Sequence, residues 1–324
     1  MEINDNKHKK TAILGRFVLL SVTVIWGSSF VILKDTLETL GGGHFTFFIL
    51  AARFLLGAIF LALFGIKRMK HMTRQTVKNG VLTGIILFAA YAVQTIGLKY
   101  TTASKNAFLT AAYCVMVPFL VWIFYRSKPK VSNVVAATIC LSGIACIAFG
   151  GKSGHGSNEF LGDCLSFACG VFFALQIVFN EKFSKQDDPV CLITVVMVTA
   201  GVLHAAVSGA VEFSRYASSF SVSGEAALKI GYLALFATCY CQFGQCFGQK
   251  YVPANSSSLI LSLEAVFGTV FGILLGNDKM TVPIVIGFVF VFISELLSEF
   301  GFPAFLRKKK KEDKERDKKI KNYS

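Results

Sequence analysis

The sequence predicts an all-α integral membrane protein, with ten transmembrane helices arranged as two inverted five-helix repeats. Three observations predict it: an apolar composition, ten runs of membrane-spanning length, and a polar motif that occurs twice. Of the 324 residues, 54% are hydrophobic and 16% charged, whereas soluble domains carry roughly a quarter charged residues. Phe occurs 32 times, against two Trp and six Pro. This composition excludes a disordered chain, a disulfide scaffold and almost every soluble enzyme class.

A hydrocarbon core of about 30 Å takes about 20 apolar residues at ~1.5 Å rise each. Such runs fall at about 13–33, 44–64, 78–98, 103–125, 131–150, 161–180, 189–211, 228–248, 254–275 and 281–299. The first follows a polar start and is long enough to span, so no cleavable signal peptide is expected. The second carries Arg53 in its interior, and the third carries Gly80 and Gly84 at a four-residue spacing. Asn106 at the head of the fourth and Asn255 to Ser258 at the head of the ninth read as helix caps. Gly151-Lys152-Ser153 after the fifth resembles the end of a phosphate loop. The earlier glycine of that motif falls on Cys146, and no strand precedes it, so nucleotide hydrolysis is not expected. The ninth run holds Gly268, Gly272 and Gly276, a spacing that lets helix backbones approach within one chain or across a homodimer.

The net charge of +14 is concentrated at the ends of these runs. The tail from Arg307 to Ser324 has ten Lys/Arg and four Asp/Glu, and the connector from Lys67 to Lys78 holds five cations. With the N-terminus inside, cytoplasmic segments hold 25 Lys/Arg and outer connectors seven, Lys34, Lys99 and Lys105 among them. The positive-inside rule then places both termini in the cytoplasm. Basic residues distributed this way do not indicate nucleic-acid binding, although the tail could touch anionic lipid headgroups. The nine cysteines form no C-x-x-C and lack a paired His, so they read as small hydrophobes, with no metal and no cofactor expected.

Residues 94–103, QTIGLKYTTA, align without gaps to 245–254, QCFGQKYVPA, at an offset of 151. Gln94/Gln245, Gly97/Gly248, Lys99/Lys250, Tyr100/Tyr251 and Ala103/Ala254 match. Five helices per copy is odd, so the second copy enters the membrane from the opposite side, an architecture recurrent in secondary transporters. The chain divides into a cytoplasmic segment 1–12, a first repeat 13–150, a second repeat 161–299 and a basic cytoplasmic tail 300–324.

WGSSFVILK (Trp26 to Lys34), Arg53 within LAARFLLGA, and the paired segments QTIGLKYTTAS and QCFGQKYVPANSSSLILSLEAVFG resemble EamA-type members of the drug/metabolite transporter superfamily. The resemblance covers about residues 13–299. It implies two EamA repeats and transport of small metabolites, often outward, with amino acids a common substrate class, in a bacterial plasma membrane. Where that family commonly has LEP, this chain has Leu263-Glu264-Ala265, so the proline that would kink the helix is absent.

Ionisable groups at membrane depth need a partner or a wet cavity. Arg53 lies nine residues past His44 and Glu264 ten past Ala254, each ~15 Å into its helix. Three readings of this pair stand side by side: a clamp on a zwitterionic substrate, a mutual ion pair locking two helices, or Glu264 as proton carrier. His204 falls opposite Arg53 at the 151 offset and reads as a ligand or a satisfied core histidine. Trp26, Ser29, Tyr113, Gln176 and Tyr240 could line a cavity or bond a neighbouring helix. The expected partners are a small-molecule substrate, the bilayer and a second copy, and the expected function is carriage by alternating access. The alternatives are an integral membrane enzyme, which would want clustered His or acids that this chain lacks, and a non-transporting sensor or assembly partner that uses the tail.

Overall fold

A computed structural model describes residues 2–126, 128–150, 158–276 and 278–301. Counting a helix interrupted at one residue as one segment, the described residues form α1 (Glu2–Thr39), α2 (Thr46–Phe64), α3 (Arg74–Tyr100), α4 (Ala103–Tyr125), α5 (Val131–Gly150), α6 (Glu159–Ser184), α7 (Pro189–Ser219), α8 (Gly224–Tyr251), α9 (Ala254–Leu275) and α10 (Val282–Phe300). No strand occurs among them. Eight of these helices are long and apolar enough to cross a membrane. In α5 and α10 the apolar stretches are shorter, Val134–Gly143 and Val285–Ser294. Several helices outrun their apolar cores: α1 continues through Lys34 to Thr39, and α3 starts at Arg74. Backbone hydrogen bonding does not stop where side chains turn polar. The Thr73–Thr76 capping box and the Asp188 cap with Pro189 behind it fix the starts of α3 and α7.

Packing repeats across the halves. α2 lies on α7, α4 on α9 and α5 on α10, while α3 lies on α6 as α8 lies on α1. Exchanging the halves leaves this pattern unchanged, as a two-fold relation requires. The closest approaches repeat too. A Cβ on Gly97 would meet the Gly162 carbonyl oxygen at 3.0 Å, and one on Gly248 the Gly15 carbonyl oxygen at 3.1 Å. These matched contacts pair α1 with α6 at an offset of 147, so Trp26 corresponds to Phe173 and Ser29 to Gln176. Glycine at these points is what lets helix backbones touch. The other small-residue ridges also pack within the chain: Gly268 against Ala107, Gly80 against Val195 and Gly84 against Thr199.

The residues read as caps do other work. Thr102 caps α4 by accepting from the Lys105 amide, while Asn106 donates to the Gln94 carbonyl at 3.2 Å and to Ser166 Oγ at 2.7 Å. At α9 the Glu181 carboxylate accepts from the Ala254 amide at 3.0 Å, and Ser257 and Ser258 bond backbone carbonyls. A carboxylate from a neighbouring helix thus supplies the cap that the local sequence does not. Lys105, counted among connector lysines, is 1% exposed inside α4, where Nζ meets Glu159 at 2.9 Å and Asp163 at 2.7 Å. The large apolar side chains left exposed, such as Phe17, Leu63, Phe64 and Leu274, are distributed over the outside. Buried polar side chains share the interior with an apolar core, as between helices whose outer surface faces lipid.

Candidate functional site

Both α4 and α9 break halfway. α4 is interrupted at Ala112, between Ala103–Ala111 and Tyr113–Tyr125, and α9 at Leu263, between Ala254–Ser262 and Glu264–Leu275. The two breaks stand 151 residues apart, so they are equivalent. α9 has no proline at its break, whereas α4 carries Pro118 in the segment after its own; at each break a bond three residues apart occurs, Val115 to Ala112 and Val266 to Leu263. α9 is thus interrupted at Leu263 without the proline. Tyr113 and Glu264, the first residues after each break, line the same cavity.

They face a cavity of about 30 Å³ between the halves, lined by Trp26, Ser29, Phe30 and Leu33 of α1, Arg53 of α2, Tyr91 and Gln94 of α3, Tyr113 of α4, Phe173 and Ile177 of α6, Gln245 of α8, and Leu261 and Glu264 of α9. That volume holds about two waters. Arg53, 1% exposed, donates from Nε to Thr238 Oγ1 at 2.8 Å and from a terminal nitrogen to the Ala237 carbonyl at 3.4 Å. Its guanidinium lies 5.0 Å from the Tyr91 ring centre and 5.7 Å from that of Phe54, contacts that stabilise a desolvated cation by about 1–2 kcal/mol. Trp26 Nε1 donates to the same Ala237 carbonyl at 2.9 Å.

That carbonyl lies where α8 departs from α-helical bonding. Leu233–Tyr240 is π-helical, while the equivalent stretch of α3 is regular α-helix. A π segment displaces backbone bonds and frees acceptors, and such segments concentrate at functional sites.

Arg53 and Glu264 make no ion pair among the described residues, although both line the cavity. The helix-lock reading therefore has no bond to rest on. Of the predicted site residues, the structure brings together Arg53, Glu264, Trp26, Ser29 and Tyr113. It does not bring the other three to the cavity wall. Gln176 and Gln245 exchange two amide bonds of 3.1 and 3.0 Å, so Gln176 stands behind the lining. His204 is fully buried, with Nδ1 2.7 Å from the Ala200 carbonyl and its ring stacked on Phe54. Tyr240 points outward, its hydroxyl 2.7 Å from Ser21 Oγ. Tyr91 and Gln94 also belong to the wall. Tyr91 also accepts a bond of 3.3 Å from Gln242, its counterpart at the 151 offset. The offset alone would have paired Tyr113 with Glu264 and Tyr91 with Gln242.

A polytopic helical membrane protein built of two packed, symmetry-related halves, with buried charged and aromatic groups between them, is the class these observations define. The model of the EamA-like transporter family matches it twice, over residues 13–149 and 160–299. The chain belongs to that family. An uncharacterized transporter of Archaeoglobus fulgidus is 28% identical over 267 residues, covering 81% of this chain and 78% of its own. Uncharacterized transporter YyaM of Bacillus subtilis is 25% identical over 292 residues, covering 86% and 91%. One of Clostridium kluyveri is 25% identical over 260 residues, covering 76% and 80%. A solved crystal structure shares the fold with a TM-score of 0.66 at 13% identity, over 88% of this chain and 96% of its own.

Proposed function

We propose that this protein is a secondary carrier that moves small amphipathic metabolites, amino acids or close relatives, across the bacterial plasma membrane, outward, by alternating access. All ten helices cross the bilayer, the halves enter from opposite sides, and both termini are cytoplasmic. The observation that carries the reading is the pair Arg53 and Glu264 facing one cavity without neutralising each other. Buried charges left apart cost several kcal/mol unless a ligand or an ion supplies what the protein withholds. A carboxylate fits the free N–H donors of Arg53, an ammonium fits Glu264, and Trp26, Tyr91 and Phe173 enclose an apolar side chain. A cavity of about 30 Å³ is too small for such a solute. This geometry is therefore the closed one, and loading requires the halves to separate. Catalysis plays no part in the cycle.

The break at Leu263 places Glu264 at a helix joint, where a change of charge would be felt by both halves of α9. Glu264 alternates between proton and substrate in this account. Counterflow in proteoliposomes tests it: pooled radiolabelled amino acids outside, the same pool unlabelled inside. Transient accumulation is expected. Its absence with every pool removes the amino-acid reading, and its persistence at unchanged rate under any imposed pH gradient removes the proton.

A further inference from the structure

We propose a second site: a lateral groove between α2 and α8 that binds an anionic phospholipid of the cytoplasmic leaflet. The groove has a volume of about 480 Å³ and is walled by Leu61, Phe64, Val190, Phe236 and Phe243, with Arg68 at one end. Its walls are apolar from the membrane side up to that cation. Phe64 is 82% exposed, so no protein element covers the entrance. Arg68 is the second residue of the connector Lys67 to Lys78, which carries five cations and no acid. The guanidinium is 61% exposed and is held at the mouth by Asp188 at 3.2 Å, which also caps α7 through the Val190 amide. Asp187 is committed to Thr76 and Asn79 at 2.6 and 2.7 Å. Arg68, paired with Asp188 yet largely exposed, belongs to a connector of five cations and no acid, and apolar walls ending at that cation match an acyl chain ending in a phosphate.

The location gives the site a consequence. Leu235, Phe236, Cys239 and Tyr240 line the groove, and all four lie in the π-helical stretch Leu233–Tyr240. The other face of that stretch presents Ala237 and Thr238, which anchor Trp26 and Arg53. A lipid seated in the groove presses on the wall that holds the central arginine.

Native mass spectrometry of the purified protein exchanged into phosphatidylcholine micelles, titrated with phosphatidylglycerol, tests the site. One tightly retained phosphatidylglycerol per chain is expected. Arg68→Gln should weaken it about fivefold, the effect of one headgroup-facing cation. Leu235→Trp, which fills the groove without altering charge, should weaken it at least as much. Lys78→Gln, an equal change of charge on the same connector outside the groove, should leave it within twofold. Equal losses for Arg68→Gln and Lys78→Gln, or retention unchanged by Leu235→Trp, would overturn the proposal in favour of diffuse attraction to the basic surface. A circular-dichroism spectrum and a monodisperse elution profile for each variant establish that it folds. The test is independent of the transported solute, so its failure leaves the carrier reading standing.

Discussion

The first and second repeats share a frame and differ in chemistry. The frame comprises the Gly97–Gly162 and Gly248–Gly15 approaches, the joints at Ala112 and Leu263, and the symmetric helix pairings. At equivalent positions, however, the first repeat puts Arg53, Tyr91 and Tyr113 on the cavity wall, where the second has His204 and Gln242 away from it and Glu264 on it. Ser29, Gln94 and Gln245 line the cavity, while Gln176, the counterpart of Ser29, is withdrawn from it by its two bonds to Gln245. The repeats agree in helix pairings and joints, and diverge in the π-helical stretch of α8 and in the side chains around the cavity. A symmetric cavity would present matched groups to both ends of a ligand; a divergent one can hold a carboxylate at one wall and an ammonium at the other.

That contrast can be broken at graded cost. Glu264→Gln removes the charge at the second joint and keeps its shape. Gradient-driven accumulation and exchange between equal pools should both fall at least tenfold, because the lost carboxylate is the group that meets the substrate ammonium. Unimpaired uphill transport would place coupling elsewhere. Lys105→Met strands Glu159 and Asp163 in the interior, which costs about 3–5 kcal/mol. Its melting temperature in detergent should fall far below that of Lys185→Ala, whose partner Glu181 is reached from an exposed position. Equal melting temperatures would mean water reaches the buried acids.

Glycine contacts give the next rung. A Cβ on Gly27 would meet Phe267 Cβ at 2.5 Å and the Gly268 amide at 2.8 Å, whereas one on Gly209 meets nothing within 4 Å. Gly27→Ala should destabilise by about 1–3 kcal/mol through overpacking, and Gly209→Ala should not destabilise measurably through crowding; thermal shifts of the two side by side decide it. The smallest effect belongs to Tyr91→Phe, which deletes the hydrogen bond from Gln242 and keeps the aromatic face under Arg53. About 0.5–1.5 kcal/mol of stability should be lost, with counterflow within severalfold of the wild type.

Much of this frame is legible in the chain itself. Hydropathy marks the helices, the 151 offset reveals the repeat, and Arg53 and Glu264 stand out because charge is rare at that depth. Other features depend on neighbours distant in sequence. Lys105 reads as a connector lysine because its partners Glu159 and Asp163 lie over fifty residues away. Capping of α9 by Glu181 is hidden for the same reason. The π-helical stretch of α8 leaves no signature in apolar LALFATCY, and the joint at Leu263 carries no proline. His204 and Tyr240 have the residue types of a site, but helix rotation turns one into an aromatic cluster and the other outward.

The most direct measurement compares counterflow by Arg53→Ala and His204→Ala in matched proteoliposomes, with reconstituted protein quantified for both. These positions are equivalent by repeat, and both are buried. Only Arg53 faces the cavity. Loss of flux in Arg53→Ala with His204→Ala within twofold of the wild type is the result expected of a site built where the repeats diverge. Equal loss in both variants, or retention in both, would contradict it.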